Sequence, residues 1–217
     1  MHSIVKLAAF ALAAAGLAGC GDDAGDAVAT SAAPAAAVAT ADQQLAALVE
    51  QYWDKHLELN PIEATLHGDY RFDDRMENDI SQAYLADARA LEVEYLKKLG
   101  AIKIDQLSPQ ARLTYDIFQR DRGMAIESFT YQAELLPIAQ FGNRATFFAQ
   151  LSAAGLHPFR TVKDYDDWLS RVHDYVTWVD QAITNMRAGV NKGFVQPRVV
   201  MERVLPQIAA LGGNDPT

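Results

Sequence analysis

Between Thr161 and Met186, the residues Tyr165, Trp168, Leu169, Val172, Val176, Val179, Ile183 and Met186 recur in steps of three and four. That spacing places them on one face of an α-helix of about seven turns. Thr161 with Asp164 three residues later forms a capping-box pattern at its start, and Gly189 and Gly193 are expected to break the chain after it. A helix this long and regular acts as a spine against which shorter elements must pack. No segment alternates with period two for long enough to demand a sheet, and no internal repeat is evident. The expected fold class is all-α, an irregular multi-helix bundle with one long central helix.

Other helices follow from the same arithmetic. Leu45, Leu48, Val49, Tyr52, His56 and Leu59 mark a first helix from Gln43 to Asn60. Pro61 opens a short helix that Gly68 closes. Ser81 caps a helix to Leu99, with Ala88, Leu91 and Tyr95 inward and a charged face in solvent. Ser108-Pro109 opens another, in which Leu113, Ile117 and Met124 are the expected inner stripe and Arg120, Asp121 and Arg122 surface charges. Phe129 to Gly142, interrupted by Pro137, shows no helical period and is expected to be an extended connection. A short helix over Thr146–Ala154 and a last one carrying Val200, Val204, Ile208 and Leu211 complete the set. Pro206 should bend the last one or restart it near Leu205. Residues 43–217 are thus the helical domain.

The first twenty residues are of another kind. One charge, Lys6, precedes an apolar run from Leu7 to Leu17, the length of a signal h-region and too short to span a bilayer. The run closes on Leu17-Ala18-Gly19-Cys20, which resembles the bacterial lipobox. Residues 1–19 are expected to be a lipoprotein signal peptide, with Cys20 the lipid attachment site and the mature N-terminus. Several acyl chains on one cysteine, at about 0.8 kcal/mol per buried CH₂, anchor firmly. Gly21, rather than Asp, follows Cys20, so the expected location is the outer membrane of the cell envelope, facing the periplasm. Residues 20–42, rich in Ala, Asp, Thr and Ser, are expected to be a flexible tether. Cys20 is the single cysteine, so no intramolecular disulfide can form, and a net charge of -9 argues against nucleic acid as a partner.

The histidines His2, His56, His67, His157 and His173 show neither HExxH nor HxxEH spacing. Glu63 and His67 could meet across one turn, but two ligands are too few for a metal site. His56 is expected at the core edge with one nitrogen satisfied, and His173 on the surface. Asp164, Asp166 and Asp167 suit the positive end of a helix better than a cation loop. Trp168, Tyr175 and Trp178 at helical spacing are expected core residues. No GxSxG or glycine-rich phosphate loop is present. The sequence therefore assigns no catalytic residue, no metal ligand and no cofactor to this chain; Cys20 is its one assigned site.

The segments Asn60-Pro61-Ile62-Glu63-Ala64-Thr65-Leu66-His67-Gly68-Asp69, Thr161-Val162-Lys163-Asp164-Tyr165, Met186-Arg187-Ala188-Gly189 and Gln196-Pro197-Arg198 resemble, in order and spacing, the bacterial domain of unknown function family 885. The resemblance runs from about Leu45 onward. It implies a mostly helical, often exported or lipidated protein of the HExxH zinc-metallopeptidase type, with the zinc motif in the C-terminal half of longer members. No position of this chain matches that motif, so the resemblance implies an N-terminal helical portion without activity by itself, partnered by a C-terminal catalytic half. The closing Gly212-to-Thr217 stretch fits a loop leading onward. On this reading an apolar face should be left open. The competing reading is a non-enzymatic, lipid-anchored scaffold that binds a partner protein. A third, a small-ligand binder using Tyr70, Trp168 and Arg198, rests on residue type alone. Asp69 and Arg198 could shape a cleft in longer relatives or serve as surface salt-bridge residues.

Overall fold

The computed structural model describes residues 39–212, and Cys20 with the signal segment and most of the tether lies outside them. Seven α-helices form among the described residues, with no strand. They are α1 (Ala41–Leu59), α2 (Pro61–Leu66), α3 (Gln82–Leu99), α4 (Pro109–Ser128), α5 (Arg144–Ala153), α6 (Val162–Lys192) and α7 (Arg198–Gly212). Single 3-10 turns stand at Tyr70–Phe72, Ile104–Gln106 and Ala133–Leu135.

Side-chain caps set the starts. Ser81, Ser108 and Asn143 accept the backbone amides of Tyr84, Ala111 and Ala145, and Thr161 with Asp164 closes the expected capping box. Thr40 with Gln43 forms a second box, so α1 begins at Ala41, two residues before the expected start, and Ala41 is buried.

Two hydrophobic clusters organise the helices. In the first, Leu45, Leu48 and Tyr52 of α1 meet Tyr95 and Leu99 of α3 and Tyr115 and Phe118 of α4. Tyr52 packs edge-on against Tyr95 and Phe118, with ring centroids 5.4 and 5.2 Å apart. In the second, Phe148 and Leu151 of α5 and Val204 of α7 close over Trp178 and Ala182 of α6, with Ile62 of α2 and Met76 and Ile80 of the following loop. Phe148 is stacked between Trp168 and Tyr175, so the expected core aromatics are core. The loop from Gly68 to Ile80 gives Met76 and Ile80 to the second cluster, and Gly68 takes the positive φ of 80° that its turn requires.

Several expectations are corrected. On α4 the inward residues are Tyr115 and Phe118, while Leu113, Ile117 and Met124 are exposed. Arg122 is not a free surface charge: its guanidinium lies 4.0 Å from the Tyr52 ring centroid and 3.0 Å from the Glu92 carboxylate. Glu92 is itself buried on α3, so that helix's polar face is not wholly solvated. Gly189 lies inside α6, which runs on to Lys192 and ends at Gly193 with φ 71°. The stretch from Phe129 to Gly142 holds a 3-10 turn after Gln132 at φ 51°, and α5 starts at Arg144. The last helix does not restart at Pro206 but continues through it.

Candidate functional site

Two networks of polar groups, besides the Glu92–Arg122 pair, are tied to α6. Arg171 is fully buried. Its Nη1 donates to His157 Nδ1 at 2.9 Å, its Nη2 to Thr65 Oγ1 at 2.6 Å and Asp73 Oδ1 at 3.1 Å, and its Nε to the Arg75 carbonyl at 3.0 Å. Burial lowers the pKa of the guanidinium, against the pull of Asp73 and Glu77. With its donors directed at α2, the loop after it and the segment before α6, Arg171 ties three chain regions to one helix. The guanidinium has no exposure to solvent.

The second network surrounds Arg144 at the start of α5. Arg144 Nη1 donates to Glu77 Oε1 at 2.8 Å and Nη2 to Asp79 Oδ2 at 2.6 Å. Glu77 Oε2 accepts the Ile62 amide at 3.1 Å, and Asp79 Oδ1 the Trp178 indole at 2.7 Å. Burial lowers the pKa of Arg144, but the facing Glu77 and Asp79 carboxylates outweigh it and hold it above its ordinary value. Burial, with Glu77 and Asp79, also pushes the Tyr84 hydroxyl upward.

Arg144 stands between two surface clefts. One, of about 620 Å³, is bordered by Asp79, Arg89, Glu134 and Trp178. The other, of about 480 Å³, is bordered by Asn60, Glu63, His67 and Phe147. In the second, Glu63 Oε2 lies 2.9 Å from His56 Nε2, and Glu63 Oε1 lies 3.9 Å from His67 Nε2. The Trp53 ring stacks on His56 with centroids 5.6 Å apart and meets His67 edge-on at 5.0 Å. His56 Nδ1 contacts the Tyr52 hydroxyl at 3.3 Å, so both its nitrogens are engaged, not one.

The zinc implied by the resemblance has no fitting donor set here. Among the described residues no three His, Cys, Asp or Glu side chains gather as metal ligands. The nearest approach is Glu63 between His56 and His67, where the carboxylate already faces His56 Nε2 at hydrogen-bond distance.

A third feature is apolar. Between α6 and α7 a groove of about 500 Å³ is lined by Tyr175, Val179, Ile183, Met186, Leu205 and Ile208, among others. With exposed Leu113, Ile117 and Met124 on α4, it leaves large apolar side chains uncovered.

The structure scatters the other sequence candidates. Asp69 holds Arg71, which also reaches Asp54 at 2.6 Å. Arg198 is exposed and pairs with Glu202 on its own helix at 2.7 Å. Tyr70 is exposed, Trp168 packs on Phe148, and neither meets Arg198. His173 is exposed as expected, Asp164 caps its helix, and Asp167 pairs with Lys163. Sequence reasoning missed Arg171, His157, Arg144, Glu77 and Asp79. One signal was available: Arg171 lies seven residues before Trp178, two helical turns away on the same inward face.

No curated protein and no solved structure matches the chain. A family profile does, over residues 61–217, so that α2 through α7 lie within the match and α1 before it. By that match, covering most of the sequence, the chain belongs to the family described as bacterial protein of unknown function (DUF885).

Proposed function

We propose that this family member is a lipid-anchored envelope protein whose helical domain is the scaffold portion of a zinc-peptidase-like protein, supplying walls and packing surfaces rather than reacting groups. One observation carries the scaffold reading. The charged side chains Arg171, Asp73 and Glu77, which are buried, and Arg144 and Asp79, which are partly buried, are engaged with one another, with backbone groups and with Trp178, in contacts that tie the helices together. A general base or nucleophile would instead need a reactive atom directed into a cleft. The anchor rests on Cys20 directly after an h-region, and the peptidase likeness on the family resemblance.

Two measurements test the proposal. Wild-type protein in a Gram-negative host should fractionate with the membrane and take up labelled fatty acid, whereas Cys20→Ser should do neither. Unchanged retention and labelling of the variant would overturn the anchor. Zinc titration of the purified chain by calorimetry, followed by a peptide-cleavage assay, tests the scaffold reading. Stoichiometric zinc binding with cleavage by this chain alone would overturn it.

A further inference from the structure

The stripe on α6 is wider than the core it covers. Val172, Val179 and Met186 pack against the second cluster. A neighbouring row, Val162, Leu169, Val176, Ile183 and Val190, repeats every seventh residue and is exposed throughout. Single exposed apolar residues are ordinary, but five in one register along about 42 Å of helix form a seam. Beside it runs a second exposed row at the same interval: Asp166, His173, Asp180 and Arg187. Among the described residues these four form no ion pair.

We propose that this face pairs with the same face of a second copy, antiparallel, about a two-fold axis at Val176. The charge order argues for it. An antiparallel match centred there sets Val162 against Val190, Leu169 against Ile183 and Val176 against its own copy. The same centre, shifted by half a residue, sets Asp166 against Arg187 and His173 against Asp180. Both rows are thus self-complementary about one axis, as an isologous interface demands. In a parallel match the two copies of the charged row would lie on opposite edges of the seam, and neither of these pairs would form.

Position 176 lies on the axis and so reports the geometry directly. In the full chain, Val176→Cys should give a disulfide-linked dimer on mild oxidation, above the background set by the parent, whose single cysteine is Cys20. Val162→Cys alone should stay at background, because its partner lies at position 190, and Val162→Cys with Val190→Cys should cross-link. By light scattering, Asp166→Arg should raise the dimer dissociation constant by about tenfold or more, and Asp166→Arg with Arg187→Asp should restore it. A monomeric mass for the wild type across the accessible concentration range overturns the proposal. So does cross-linking of Val162→Cys alone as strong as that of Val176→Cys, or capture of a different protein at position 176 in place of a second copy.

Discussion

Arg171 Nη1 lies 2.9 Å from His157 Nδ1, which makes the histidine the acceptor and places its ring proton on Nε2, where it faces the Asp164 carbonyl at 2.9 Å. A tautomer is thus set by an arginine fourteen residues away, and the start of α6 is tied to its own third turn through the His157 ring.

Removing either partner should therefore cost more than one hydrogen bond. Arg171→Met leaves Asp73 buried without its guanidinium and should destabilise by about 3–5 kcal/mol. His157→Ala leaves one Arg171 donor unmet and opens a void beside Phe159 and Trp168, which lie 4.8 and 5.2 Å from the ring centroid. A double-mutant cycle read by urea denaturation should give a coupling of about 1–3 kcal/mol. Additive losses would show that the pair does not act as one unit.

Gly189 tests the closeness of the backbone. A Cβ built there would stand 2.7 Å from the Phe194 carbonyl oxygen and 3.1 Å from that of Leu135. Both are backbone atoms that cannot swing aside. Gly189→Ala should lose about 1–3 kcal/mol despite alanine's better helix propensity. Gly123→Ala, inside α4 with open space around it, should instead gain about 0.5–1 kcal/mol. Urea midpoints of the two variants should move in opposite directions.

Acid should weaken the start of α6. The Asp164 carboxylate accepts the backbone amides of Arg160 at 2.7 Å and Thr161 at 2.9 Å, which hold its pKa below the ordinary 3.8. A carboxylate lowered on folding stabilises fully above its unfolded pKa, and that contribution is lost as pH falls through the folded one. The stability difference between wild type and Asp164→Asn should therefore be constant near neutral pH and shrink as pH drops below about 3.8. A difference that persists unchanged into strong acid would place the effect elsewhere.

On α4, truncation should separate the observed inner face from the expected one. Phe118→Ala removes a buried ring packed on Tyr52 and should cost about 3–5 kcal/mol. Leu113→Ala, at a position 53 % exposed, should change stability by no more than about 0.5 kcal/mol. Thermal melts of the two variants decide between the faces.

The all-α class, the caps at Ser81, Ser108 and Thr161, and the glycine turn at Gly68 were determined by the sequence, because each depends on residues within a turn or two of one another. Which face of an apolar helix turns inward was decided by tertiary structure. The stripe through Leu113 and Ile117 is as apolar as the one through Tyr115 and Phe118, and the first cluster admits the rings because Tyr52 and Tyr95 supply partners for them. Likewise, the spacing from Trp178 puts Arg171 on the inward face of its helix, but local patterning cannot show what its guanidinium pairs with, since its partners Thr65, Asp73 and Arg75 lie about a hundred residues away. Local hydrogen bonding and helical period are written in short stretches of chain. The pairing of buried charges across helices exists only once those stretches have packed and water has left.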